Sequence, residues 1–173
     1  MRNSMLYNKI IKTLGAEARF FEVSDIDQAC RIELATELAQ LLIFFKGAIV
    51  FIRGAKFKVD ADIPVADEDR YVDLDIIYGL NRDSNNIFLK NSVYKDRIGE
   101  DFYTFGESVS GDQYCIERES GKIYYWYHEA KYESEIKFLI APNLIEFITH
   151  LMADEEKQLI DKTKKIISAT FDF

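Results

Sequence analysis

The sequence predicts an α+β fold, a central and mainly antiparallel sheet with helices from the N- and C-terminal parts of the chain packed on it. Three observations carry this. Apolar residues recur at helical spacing towards the two ends, in Leu6 to Leu14, Leu34 to Phe45 and Leu144 to Leu151. Between them lie β-branched and aromatic runs with no regular strand-helix alternation, which argues against parallel crossovers. The densest aromatic stretch, Phe105 to Glu129, holds two Gly-marked turns and reads as a hairpin.

Leu6, Ile10, Ile11 and Leu14 predict a short helix closed by Gly15, a residue suited to the position past a helix end. Ser24 and Asp27 supply a cap and a first-turn acid for a second helix through Ile26, Ala29 and Cys30. Thr36 is the cap candidate of a third, whose Leu34, Leu38, Leu41, Leu42 and Phe45 form a stripe that must be buried, with a sheet face as the natural partner. Ala48 to Ile52 is too short and too β-branched for a helix and predicts a buried strand, with a second short strand at Lys56 to Val59. Residues 60 to 75 carry seven acids against one base, Arg70. Ile63 to Arg70 is expected as a loop. Val72, Leu74 and Ile76 then alternate with Asp73 and Asp75, the pattern of a half-exposed strand with its acids towards water.

Tyr78-Gly79-Leu80 closes that strand, and Ser84 is the cap candidate for Ile87, Phe88 and Leu89, while Asn91 to Gly99 has no clear periodicity. In the hairpin, Tyr114 and Ile116 alternate with Cys115 and Glu117. Ile123, Tyr125 and Tyr127 oppose Tyr124, Trp126 and His128, and Gly121 supplies the positive φ of the connection. Lys137 to Ile140 predicts the last strand. Asn143 and Glu146 form a capping-box variant ahead of the apolar face Leu144, Phe147, Ile148 and Leu151. A charged helix is expected at about 154–168.

At 173 residues one domain spanning 1–173 is expected. A hydrophobic content of 48% with only 2 Pro argues for a folded globule. The net charge of −8 disfavours nucleic acid, which needs clustered Lys and Arg, and favours a basic protein partner. Cys30 and Cys115 have no C-x-x-C spacing and read as buried free thiols. The N-terminus lacks the apolar core of a signal peptide, and the most apolar run, Leu41 to Ile52, falls short of the ~20 residues that span a bilayer. Cytoplasmic residence without membrane contact is the expectation.

Gly106-Glu107-Ser108-Val109-Ser110 lacks the second glycine of a nucleophile elbow, and no helical pattern follows it. A serine hydrolase using Ser108 or Ser110 would also need a histidine, and only His128 and His150 exist. Gly106 to Gly111 has P-loop spacing, yet Asp112 and Gln113 stand where Lys and a hydroxyl should hold phosphate and magnesium. His128 and Glu129 lack the further ligands a metal would require, so a structural hydrogen bond is the expected role. No catalytic, cofactor or metal residues are assigned. The partner-binding candidates are acids: Asp67, Glu68 and Asp69 in the loop, supported by Asp60 and Asp62, and Asp112, Glu117 and Glu129 in the hairpin.

The Phe105-Gly106 start, the Ser/Gly turn, then Gly121-Lys122-Ile123-Tyr124-Tyr125-Trp126 and His128-Glu129, resemble the SUKH superfamily. Leu34 to Val50 resembles that family's helix and the signature after it, with Ala35 where Pro is usual and Lys46 where Asn precedes Gly47. Tyr78-Gly79-Leu80 and the helix from Ala141 to Leu151 also fit, placing the family core at about 24–151. The superfamily includes a fungal regulator of cell-wall synthesis and many bacterial immunity proteins encoded beside polymorphic toxins. The resemblance therefore implies a non-enzymatic immunity protein that binds and neutralises a cognate toxin, such as a basic nuclease. A regulatory or scaffold protein of the cell-wall type is the alternative.

Overall fold

In the computed structural model, which describes residues 5–6, 8–18, 36–80, 82–131 and 136–155, seven strands follow one another across a sheet in chain order. They are β1 (Glu17–Ala18), β2 (Ile49–Lys58), β3 (Tyr71–Ile77), β4 (Phe102–Glu107), β5 (Gln113–Glu117), β6 (Ile123–Trp126) and β7 (Lys137–Ala141). An eighth, β8 (Met152–Ala153), returns to pair with β2. Every strand pair is antiparallel, so the sheet is a meander. With its helices the fold is α+β, as the sequence predicts.

One strand, β2, replaces the two expected over residues 48–59. Its register with β3 shifts between Val50 and Ala55, and Gly54 sits at φ 75. A bulge between Val50 and Ala55, with Gly54 left-handed within it, therefore absorbs the irregular spacing without ending the ladder. The edge of β2 away from β3 is shared, β1 pairing with Ile49 and Val50 and β8 with Ala55 and Lys56.

The N-terminal helix is π-helical over Asn8–Thr13, burying Ile10, with Leu6 and Leu14 on either side. Gly15 follows at φ 64, the conformation its place past a helix end requires. Helix α1 (Thr36–Phe45) buries Leu38, Leu41, Leu42 and Phe45. Lys46 then turns left-handed at φ 60, its N–H on the Leu42 carbonyl at 2.8 Å. Asn, the residue that the resemblance places there, enters that conformation more readily than Lys.

Helix α2 (Ile87–Ile98) is longer than the three residues expected of it. Its inward positions, Ile87, Asn91, Tyr94 and Ile98, step by four, three and four, but two of them are polar and hide the period. Asn91 ties the helix to the sheet. Its Oδ1 accepts from Thr104 N at 2.9 Å and its Nδ2 donates to Thr104 O at 2.8 Å, so the side-chain amide pairs with β4 as a backbone unit would. The cap is Asn86 rather than Ser84. Asn86 immediately precedes the helix in an extended conformation, and its Oδ1 accepts from Phe88 N at 2.9 Å and Leu89 N at 3.0 Å.

Helix α3 (Leu144–His150) has the expected cap, Asn143 Oδ1 accepting from Glu146 N at 2.8 Å. The Glu146 carboxylate lies 3.4 Å from His150 Nδ1. Helix α3 contacts α1, the π-helix, β2 and β7. Its Phe147 ring lies 4.9 Å from Phe57, 5.7 Å from Phe105 and 5.3 Å from Tyr114, at the centre of the main core. The helix expected around Ser24 to Cys30 lies outside the described residues, as does nearly all of the one at 154–168.

The hairpin forms as expected, but with shorter strands and a longer connection than residues 119–122, since Ile116 rather than Arg118 stands opposite Ile123, followed by Cys115 with Tyr124, Tyr114 with Tyr125 and Gln113 with Trp126. Its faces bury into different clusters. Tyr114, Ile116, Ile123 and Tyr125 enter the main core, while Cys115 and Trp126 join Ile98 beneath α2. Burial pushes the Cys115 thiol pKa up, the inert free thiol expected. A Cβ on Gly106 would stand 2.6 Å from the Ile76 carbonyl oxygen, so β3 and β4 approach this closely only over glycine. Gly121 adopts φ 72 with open space around it. Gly121→Val is therefore expected to cost about 1 to 3 kcal/mol through backbone strain alone, read as a lowered urea midpoint with an unchanged slope.

Candidate partner-binding surface

The antiparallel registers decide which candidate acids share an end of the sheet. Ile77 pairs with Gly106 and Ile76 with Glu107, so the Tyr71 end of β3 runs past Glu107 towards the β4–β5 turn. The loop of residues 60–70 lies at that end, and contacts from β3 tie that end to the β4–β5 turn and β5. Val109 N donates to Asp73 Oδ2 at 2.7 Å, and the Tyr114 hydroxyl donates to Asp73 O at 2.5 Å. Asp73 is thus half-buried and engaged, not simply turned to water. Trp126 pairs with Gln113, which brings the following Glu129 to the same end. Glu117, paired with Phe102, lies at the opposite one.

The acidic loop is ordered by its own bonds. Val59 N reaches Arg70 O at 2.8 Å, Asp67 N reaches Tyr71 O at 3.0 Å, and the Arg70 guanidinium donates to Asp60 O at 2.9 Å. Val59 and Ile63 are buried and anchor it. Asp60, Asp62, Asp67, Glu68 and Asp69 are all exposed, and none forms an ion pair among the described residues. Asp67 also has a structural part, its Oδ1 accepting from Tyr71 N at 2.7 Å. Glu68 and Asp69 have no such duty in the loop and project charge alone.

Asp112 is placed differently from the other candidate acids. It is fully buried, and its carboxylate accepts from Tyr125 Oη at 2.8 Å, Ser110 Oγ at 2.9 Å and His128 N at 3.0 Å, with His128 Nδ1 at 2.5 Å. A carboxylate only accepts, so the imidazole carries its proton on Nδ1. Asp112 therefore supports the surface from beneath and makes no outward contact. Glu117 is half-buried and accepts from the Ser120 hydroxyl in the hairpin turn. Glu129 is exposed, 3.3 Å from Tyr127 Oη and 3.8 Å from His128 Nε2.

The same arrangement engages Ser108 and Ser110. Ser108 Oγ lies 2.9 Å from Ser110 Oγ, and Ser110 donates to Asp112, so serine and imidazole bind the same carboxylate rather than each other. A nucleophile needs its base on the hydroxyl. Residues 108–112 close as a tight turn, Ser108 N on Asp112 O at 2.9 Å, and lead into β5 rather than a helix.

A second polar group, which pattern reading missed, lies beside the turn. The Tyr78 hydroxyl is 2.7 Å from Glu107 Oε2 and 2.8 Å from Gln113 Oε1, and Lys90 Nζ is 2.9 Å from the same Glu107 oxygen. The four residues come from separate stretches, so no local spacing reveals them. Burial pushes the Glu107 carboxyl up, but the Tyr78 hydroxyl and the Lys90 ammonium outweigh it and hold the group below its ordinary value of 4.5. A lowered carboxylate pKa adds stability that is complete above the ordinary value and lost as the pH falls through the lowered one. Glu107→Gln is expected to flatten that acid limb of stability against pH, measured by urea unfolding from neutral pH downwards.

The family model described as SMI1-KNR4 cell-wall (SUKH_6) matches residues 22–148. The chain belongs to the SUKH family. The uncharacterised SPbeta prophage-derived protein YokK of Bacillus subtilis (strain 168) is 32% identical over 79 residues, 46% of this chain and 41% of that protein. The match thus spans about two fifths of that relative's length. No solved structure matches significantly. The SUKH assignment agrees with the α+β fold and with the stretch from Leu34 to Val50 and the Phe105-Gly106 start that carry the resemblance. No helix among the described residues is long and apolar enough to cross a membrane.

Proposed function

We propose that this SUKH protein is a cytoplasmic, non-enzymatic immunity protein that neutralises a cognate toxin by binding it, with the acidic end of the sheet as the contact surface. The observation that carries the reading is the loop of residues 60–70, five exposed acids held on a hydrogen-bonded frame without an ion pair among the described residues. Such a field accelerates encounter with a basic partner and repels acidic ones. SUKH membership, in a family that includes immunity proteins, supports the reading, as does a relative named for a prophage. The cell-wall description of the family favours a second reading, a regulatory or scaffold protein of the cell-wall-regulator type.

The test is co-expression with toxin candidates encoded beside the gene, followed by association kinetics at increasing salt. Asp62, Glu68 and Asp69 are reversed to Lys while Asp67 is kept for its bond to Tyr71. The association rate is expected to fall about tenfold at low salt and to converge with wild type as the Debye length shortens to about 8 Å and below. Unfolding should stay within about 0.5 kcal/mol, as for exposed sites. Equal rates with full protection would remove this loop from the interface. Rescue by no neighbouring toxin, with capture of a cell-wall protein instead, would favour the regulatory reading.

A further inference from the structure

The two edges of the sheet are finished differently. On one side the outer edge of β2 is closed by β1 and β8, strands of 2 residues each, and strands so short are one way of blunting an edge. On the other side β7 ends the strand order, 5 residues long, without Pro, and paired with β6 alone among the described residues. The ladder with β6 shows which backbone groups point outward. Tyr127 N donates to Ile136 O at 2.8 Å, and alternation along an antiparallel ladder makes Tyr125 and Phe138 the next hydrogen-bonded pair. Lys137 and Leu139 fall between these positions, with their N–H and C=O groups turned away from β6. The register slips after Leu139, which confines the regular outer edge to this stretch.

The side chains leave that edge open. Leu139 is 50% exposed. Lys137 is the one charge in the strand, and its ammonium lies 4.2 Å from the centre of the Phe102 ring, drawn back over the sheet instead of out past the edge. A row of outward amide groups is complemented by another extended backbone. A second copy fits on two counts. In an antiparallel pairing centred on Phe138, Lys137 of each copy stands opposite Leu139 of the other, so outward groups meet outward groups. The exposed leucine is then covered by an aliphatic lysine stem, and no like charges are directly opposed. Repulsion between chains of net charge −8 is also kept at a distance, because the acidic loop hangs between β2 and β3. Four strand spacings of about 4.8 Å separate β3 from β7, beyond the Debye length of about 8 Å.

We infer that β7 pairs edge to edge with β7 of a second copy, antiparallel about a two-fold axis at Phe138, joining the two meanders into one continuous sheet. Each Leu139 N–H donates to the Lys137 carbonyl of the other copy, and each Lys137 N–H to the Leu139 carbonyl. The contact is short, so the dimer is reversible, with a dissociation constant of about 10⁻⁴ M. It is independent of the immunity reading and stands or falls without it.

Sedimentation velocity of the full chain from about 10 μM to about 1 mM is expected to show a concentration-dependent passage from monomer to dimer. Amide exchange on the unmodified chain locates the contact. The Lys137 and Leu139 N–H groups are expected to exchange quickly in the dilute sample and about tenfold more slowly in the concentrated one. Leu139→Pro, tolerated on an edge whose N–H faces outward, removes that donor from both copies, and Leu139→Lys sets a like charge opposite Lys137. Each is expected to weaken association by about tenfold or more. A chain that stays monomeric throughout, protection of both amides already at dilution, or association that survives both substitutions would each overturn the pairing. Protection of the two amides only in complex with a toxin would also overturn it, and would give the edge to a strand of that partner.

Discussion

Asp112→Ala is expected to destabilise the protein by about 3 to 5 kcal/mol, the largest single effect at the acidic end of the sheet. Asp112 is fully buried, and its carboxylate gathers Tyr125, Ser110 and both the backbone and the ring of His128. Removing it leaves those donors facing a void, and each buried group without a partner costs about 1 to 3 kcal/mol, with water entering to offset part of the sum. Asp112→Asn keeps the volume and one acceptor, so it should cost less than Ala. Urea unfolding of both variants measures this. A loss under about 1 kcal/mol for Ala would mean that the network is held by the ladder around it and not by the acid. Because the carboxylate joins the β4–β5 turn to the segment after β6, amide exchange should speed up at both places.

Trp126→Ala is expected to cost a similar amount, about 3 to 5 kcal/mol, for a different reason. The indole is 3% exposed and packs with Ile98 and Cys115 under α2, so truncation opens a void between sheet and helix. Trp126→Phe separates volume from polarity. It keeps a ring against Tyr94 and removes an N–H that has no acceptor among the described residues, so it is expected to cost well under half as much. Equal losses for Ala and Phe would show that the N–H has a partner. An unchanged midpoint for Ala would mean that the indole does not hold α2 to the sheet.

The parts of the fold legible in the sequence were those written in local periodicity. The β5–β6 hairpin needs only alternation and Gly121. Helix α3 needs only Asn143 and its apolar face, and α1 only its leucine stripe. The family signature adds the order of these pieces and agrees with the α+β class, while the strand order of the meander came only with the structure.

What the tertiary structure alone decided has one physical cause: the deciding partner is distant in sequence. Helix α2 was hidden because Asn91 looks solvent-facing until Thr104 on β4 satisfies its amide. The two short strands of residues 48–59 are one because β3 continues across the bulge at Gly54. Among the candidate acids, composition could not separate burial from exposure. Glu68 and Asp69 stand in water, while Asp112, an equally charged residue in an equally polar turn, is buried because Tyr125, Ser110 and His128 converge on it. The sign of the charge is a property of the chain, but which end of the sheet displays it follows from the register of β3 against β4.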